Sequence, residues 1–249
     1  KIVVKGIQTD RKGTNWQFIS NKLVSNHSYK LQLISNGEPI YKSWSLKTFP
    51  DPDSEVESVS IMSFTCAGGP EGFKTSGKEF FKPLRFRQKV FEEGLSRNPD
   101  FAIAIGDHIY WDLRGESSPP VGRNSKLIKF FLGSYISLVY GSFNRLESIS
   151  SSNNEKVLKN IGNEQIASLY GTRFKSTPIF FIPDDHDYFE NDDAEEKIVT
   201  FPADKFSKDA FKKIADLFYP PLLDTPDGKP NRNIGRIRYG NAFEGLMAD

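Results

Sequence analysis

Phe101-Ala102-Ile103-Ala104-Ile105-Gly106-Asp107-His108-Ile109-Tyr110 is the stretch that decides the fold. An apolar run of strand length stops at a Gly-Asp pair, and a tyrosine follows the aspartate closely. Open α/β sheets present their chemistry at the carboxyl ends of buried parallel strands. A second stretch repeats the pattern, with Pro178-Ile179-Phe180-Phe181-Ile182-Pro183 running into Asp184-Asp185-His186-Asp187. Upstream, Val59 to Thr65 reads as a strand that ends at Cys66. Neighbouring parallel strands lie about 5 Å apart, so side chains at three such ends can share a metal ion or a metal pair.

Working outward, Leu84 to Ser96 has helical spacing at Phe86, Val90 and Phe91 and stops before Asn98-Pro99. Strand, helix and strand in that order predict a parallel pair with a right-handed crossover. The long excursion from Asp112 to Thr177 predicts an aromatic-rich helix near Lys126 to Tyr140, an exposed loop over Ser148 to Asn154, and a helix near Glu164 to Tyr170. Lys205 to Tyr219 is amphipathic and halted by Pro220-Pro221, and Gly235 to Tyr239 and Phe243 to Met247 read as late strands. Residues 1–57 read differently. Leu31, Leu33, Trp44 and Leu46 alternate with polar residues, and Asn36-Gly37 is a hairpin signal. With Asp51-Pro52-Asp53-Ser54-Glu55 as a linker, the expected division is a small β-sandwich over 1–57 and a larger α/β domain over 58–249.

Bulk properties remove several function classes. With 33 basic and 32 acidic residues the formal charge is +1, so no field exists to draw in nucleic acid or an acidic membrane surface. No apolar run approaches the roughly 20 residues that span a bilayer. One cysteine excludes an internal disulfide.

Taken singly, the candidate residues are unremarkable. A lone cysteine is usually a small core residue, and a tyrosine is usually packed with its hydroxyl bonded to backbone. His27 falls in an exposed turn, Asp192 and Asp193 read as solvated surface, and His108 either lines the cleft or is a bystander. Joint placement just after apolar strands is what makes Asp107, Tyr110, Asp185 and His186 a metal-site pattern. Thiolate and phenolate donors favour a strongly Lewis-acidic transition metal such as iron. Carboxylate and amide oxygens suit calcium.

At this point the sequence resembles a known family. Gly106-Asp107-His108-Ile109-Tyr110-Trp111-Asp112 and Asp184-Asp185-His186-Asp187-Tyr188-Phe189-Glu190-Asn191-Asp192 are similar to the second and third motifs of PhoD-like alkaline phosphatases, a branch of the metallophosphoesterases. Phe64-Thr65-Cys66 stands where that family carries a cysteine in its first motif, and the segment ending in Phe49-Pro50 resembles its N-terminal β-domain. Pro183 departs from the tryptophan common there.

The resemblance implies an α/β metallophosphoesterase-like sandwich preceded by an immunoglobulin- or fibronectin-like β-domain. It implies a hydrolase that cleaves phosphomonoesters, with phosphodiesters as a further class, by a metal-activated hydroxide. Cys66 and Tyr110 would hold ferric iron, Asp107 would bridge it to calcium, and Asp185 and Asn191 would complete the metal ligands. His186 would face the phosphate, with Asp184 as an orienting neighbour. Family membership further implies a monomer in the periplasm or outside the cell. The family's later Gly-Asp-x-His segment has no counterpart before Asp249. This chain is therefore expected to be the N-terminal portion of a longer enzyme, inactive alone, with Phe243, Leu246 and Met247 uncovered. Two rivals stand beside this: a phosphodiesterase or phospholipase-type activity, and a non-catalytic binding protein on a degenerate phosphatase domain.

Overall fold

The computed structural model describes residues 1–75, 78–80, 82–110, 140–188, 205–231 and 234–248. The expected helix near Lys126 to Tyr140 lies outside the described residues except for Tyr140. The N-terminal strands are β1 (Ile7–Gln8), β2 (Trp16–Gln17), β3 (Ser28–Leu31), β4 (Ile34–Ser35), β5 (Glu38–Pro39) and β6 (Trp44–Lys47). They form three two-stranded ladders, β1 with β2, β3 with β6, and β4 with β5. Asn36 and Gly37 both take positive φ, 51° and 87°, as a two-residue hairpin turn requires.

The sheet that positions the site is built from β7 (Ile61–Thr65), β10 (Phe101–Ile105) and β11 (Ile179–Ile182), with β8 (Phe73–Thr75) and β9 (Lys78–Phe80) forming a hairpin between the first two. β10 lies in the middle and pairs in parallel with both neighbours, Ile105 opposite Thr65 on one side and Ile182 on the other. Because side chains alternate along a strand, one face carries Met62, Phe64, Ala102, Ala104, Ile179 and Phe181 into the larger core. The other carries Ile61, Phe101, Ile103, Phe180 and Ile182 into the smaller one.

Helices cover the first face. α1 (Leu84–Leu95) crosses from β7 to β10, α2 (Ser152–Gly162) runs on into a π-helical turn over Asn163–Ser168, and α3 (Lys205–Phe218) closes the layer. Phe91, Leu158, Ile161 and Ile214 are almost fully buried there. Phe86 and Val90 do not share that core; they are 48% and 64% exposed, and Phe91 carries the helix inward with Leu84 and Leu95. The predicted loop over Ser148–Asn154 is also partly helix. Ser151 caps α2 by accepting from the Asn154 backbone N–H. Asn154 is fully buried, its amide donating to the carbonyls of Asn144 and Ser148 and accepting from the Asn144 N–H.

The second face is covered by a late hairpin, β12 (Ile234–Tyr239) and β13 (Phe243–Ala248). Phe243 and Met247 were expected to lack cover, but Met247 is 3% exposed beside Phe101, Ile237 and Tyr239, and Phe243 packs on the same cluster. Leu246 alone of the three faces solvent, at 73%.

The N-terminal segment is tied to the helical layer by charge. Asp10 is buried and accepts from the backbone N–H groups of Thr14 and Asn15, from the Thr14 hydroxyl, and from Lys159 Nζ at 2.5 Å. Glu155, also on α2, accepts from the Arg11 N–H and faces Lys213 Nζ at 3.6 Å. Desolvation raises the Asp10 pKa, but Lys159 and the Thr14 and Asn15 donors outweigh it and hold the carboxyl well below the usual carboxylate range.

The sign of the linkage follows. A depressed folded-state pKa stabilises fully above the unfolded value of about 4, and that stability is lost as pH falls towards the folded value. Asp10→Asn should therefore melt below the wild type at pH 7, with the gap narrowing as the pH drops below about 4. Thermal melts over a pH series check this; a gap that stays constant would remove the Asp10–Lys159 clamp as its source.

Candidate metal centre

Three loops leave the carboxyl ends of β7, β10 and β11, and they meet backbone to backbone. The Gly68 N–H donates to the Asp107 carbonyl at 2.9 Å, and the Gly106 N–H to the Ile182 carbonyl at 2.7 Å. A Cβ at Gly68 would fall 2.5 Å from the His108 carbonyl oxygen, and one at Gly106 would fall 2.3 Å from Asp184 Cβ. Gly106 also sits at φ 67°, in the left-handed region that favours glycine.

This crowding brings the predicted side chains together. Cys66 Sγ and Tyr110 Oη both donate to Asp107 Oδ2, each at 3.1 Å. Asp107 is 8% exposed, and its other oxygen, Oδ1, is buried with no hydrogen-bond partner among the described residues. Asp185 and His186 sit on a single 3₁₀ turn, Asp185–Tyr188. One ligand atom each from Asp107, Asp185 and His186 lie within 4.8 Å of one another. The His186 ring packs on Tyr110, centroids 4.3 Å apart. Asn191 lies outside the described residues.

These residues fit a cation. A buried carboxylate oxygen without a donor is costly, and a positive ion is the partner that a thiol, a phenol, two carboxylates and an imidazole together select. Without one, the thiol and phenol protons rest on Asp107. Burial pushes the Cys66 thiol up, with the Asp107 carboxylate adding to that, and the same two causes raise the Tyr110 phenol further. A cation between them would take the place of those protons, since the thiolate is the form that binds metal.

Further side chains hold the three loops in place. Asp187, fully buried, accepts from the His108 and Ile109 N–H groups through Oδ1 and from the Asp184 N–H through Oδ2, tying the second loop to the third. Burial pushes its carboxyl up to about 8 against the pull of those donors. Asp184, expected to orient its neighbours, does so by accepting from the Asp185 N–H. Arg87 on α1 donates to four consecutive carbonyls, Ala67, Gly68, Gly69 and Pro70, and so fixes the loop after Cys66. His108 turns away from the cleft. It is 1% exposed, bonds the Ile182 carbonyl through Nε2 and packs edge-on against Phe181 and Tyr219. Burial lowers its pKa to about 4, so it is a neutral core residue.

No family model matches the sequence, and no curated protein matches it. Among solved structures the chain is similar to the structure of PhoD, with 16% sequence identity and a TM-score of 0.52. The match covers 89% of this chain and 36% of that one, so this chain spans about a third of the length of the protein it resembles. At that identity the likeness shows the fold, an α/β architecture similar to that of PhoD, and the fold alone.

Loop contact at Gly68 can be tested without any substrate. Gly68→Ala forces Cβ into the His108 backbone and should cost about 1–3 kcal/mol, the range for overpacking a close contact. Gly37→Ala meets nothing within 4 Å and should cost only the left-handed backbone penalty, about 1–2 kcal/mol. Denaturant titration compares stabilities, and metal binding separates the two: Gly68→Ala should weaken it, whereas Gly37→Ala should not. Equal metal binding by both variants would mean that the loops tolerate being spread.

Proposed function

We propose that this chain carries the metal-binding part of a PhoD-like phosphoesterase that hydrolyses phosphate esters, phosphomonoesters first. The observation that carries the proposal is the convergence of Cys66 Sγ and Tyr110 Oη on Asp107 Oδ2, with Asp107 Oδ1 buried and without a hydrogen-bond partner among the described residues. Thiol and phenol donors on a shared carboxylate are an unusual set, and they favour iron for the ion they would hold. Asp107 would bridge to calcium, with Asp185 and Asn191 as its further oxygen ligands. When bound, such ions supply Lewis acidity and an activated water for attack on phosphorus.

The chain's own residues do the rest. Asp187, Arg87 and the glycine contacts hold three loops at one spacing, so that the donors need no rearrangement when an ion arrives. His186, seated on the Tyr110 ring, would meet a phosphoryl oxygen or the leaving group as charge stabiliser or acid. We further propose that residues 1–57 form an immunoglobulin- or fibronectin-like unit ahead of the phosphatase domain over 58–249, and that the whole protein acts as a monomer outside the cytoplasm. No helix among the described residues is long and apolar enough to cross a membrane.

Purified protein loaded with iron should be coloured by charge transfer from Cys66 and Tyr110 and should retain calcium on elemental analysis. Zinc or magnesium alone, with no visible band, would end the iron assignment. In the full-length protein, Asp107→Asn should lower aryl-phosphate turnover by about a thousandfold, roughly 4 kcal/mol of transition-state stabilisation; turnover near the wild type would take Asp107 out of the site. His186→Ala should lower turnover with iron and calcium content held. A parallel loss of metal would make His186 a ligand, a role that its distance to Asp107 and Asp185 also permits.

A further inference from the structure

The Gln165 side chain bonds both the loop after Cys66 and the residue Tyr110. Its Oε1 accepts from the Gly69 N–H at 2.8 Å and from the Tyr110 N–H at 2.9 Å, and its Nε2 donates to the Tyr110 carbonyl at 3.3 Å. One carbonyl oxygen thus spans two loops that leave different strands. The side chain is 1% exposed, so water does not compete for these bonds.

Its place on the chain is unusual too. Gln165 belongs to the π-helical turn Asn163–Ser168, which interrupts the regular winding of α2. Such turns carry one extra residue, re-aim the side chains around them, and recur at functional sites. Here the turn points two consecutive side chains at one loop: Glu164 Oε1 accepts from the Glu71 N–H, and Gln165 accepts from Gly69. The two differ in reach. Glu164 holds only the first loop, whereas Gln165 joins it to the second.

We propose that Gln165 is a positioning residue that sets the distance between Cys66 and Tyr110, and so the affinity and geometry of the ion that both would bind. The inference rests on the metal-site reading above. Cys66 stands three residues before Gly69, on a loop otherwise clamped by Arg87. Tyr110 carries its phenol on the residue whose N–H and carbonyl Gln165 takes. Without the bridging amide, the Gly69 and Tyr110 N–H groups lose this shared acceptor, and the direct tie between the two loops is gone. Partners that orient metal ligands typically change affinity by about 10–100-fold when removed.

Cobalt(II) is the probe, because a near-ultraviolet thiolate-to-cobalt band reports Cys66 ligation without any substrate. The wild type should develop that band on titration. Gln165→Met, which keeps the volume and loses the bonds, should shift the midpoint to about 10–100-fold higher cobalt and should change the band position as the Cys66–Tyr110 spacing relaxes. Glu164→Ala, one residue earlier in the same turn, should lower the melting temperature while leaving the cobalt midpoint and band close to the wild type. Gln165→Glu keeps the acceptor and loses the donor, so its shift should be smaller and in the same direction; it carries the test if Gln165→Met does not fold. A Gln165→Met titration that overlays the wild type, or a Glu164→Ala shift as large as that of Gln165→Met, would overturn the proposal and leave the metal reading in place. A wild type with no cobalt–thiolate band would overturn both.

Discussion

The Asp187 carboxylate is the interaction on which the site depends. It is buried where the second and third loops cross, and three backbone N–H groups from His108, Ile109 and Asp184 point at it. Chain leaving a strand end normally turns back over the surface because buried N–H groups need partners. Here two loops are instead held down against the sheet, and one side chain supplies the acceptors. Everything that has to converge then converges by construction. Tyr110 lies one residue past the held N–H groups, and Asp185 and His186 lie between Asp184 and Asp187 on the same short turn.

The sheet explains why the loops start close enough for this to work. Parallel pairing sets Thr65, Ile105 and Ile182 in one row, so the loops begin at a common level. Alanines at 102 and 104 keep the middle strand thin on the helical face, where Phe64 and Phe181 from the flanking strands fill the space with Phe91 and Tyr170. The opposite face is aromatic, with Phe49 and Phe101 in contact with each other and each with Phe180 and Tyr239. The middle strand is apolar from Phe101 to Ile105, and Asp107 comes just after it ends.

Much of this was legible in the sequence because strand signals and ligand types coincide. The run Phe101 to Ile105 is a strand from end to end, and Gly-Asp marks where it stops. Cys66, Asp107, Tyr110, Asp185 and His186 could be named because each sits within a few residues of such a stop. Other features had no local signal. Gln165 bonds residues 55 and 96 positions away, and nothing in Asn163-Glu164-Gln165 predicts a widened turn. Asn154 looked like loop because it is polar, yet its amide satisfies itself against Asn144 and Ser148 and so can be buried. Phe86 and Val90 fit the helical period but fall on the outer face, because spacing fixes an angle around the helix and not which stripe turns inward.

Backbone conformation adds an independent pointer to Cys66 and Asp107. Both have positive φ, 53° and 57°, one and two residues past the ends of neighbouring parallel strands. Aspartate tolerates the left-handed region, since its short side chain can bond locally, but cysteine has no such help, and the conformation costs about 1–2 kcal/mol. Glycine would remove that cost, as it does at Gly106 in the adjoining position. The proposed metal role of its sulfur would account for a cysteine at this position. Its hydrogen bond to a carboxylate is weak compensation, because a thiol is a poor donor. Strain at a strand end, a sulfur aimed at Asp107 and an aspartate oxygen with no donor among the described residues would all be answered by the proposed cation.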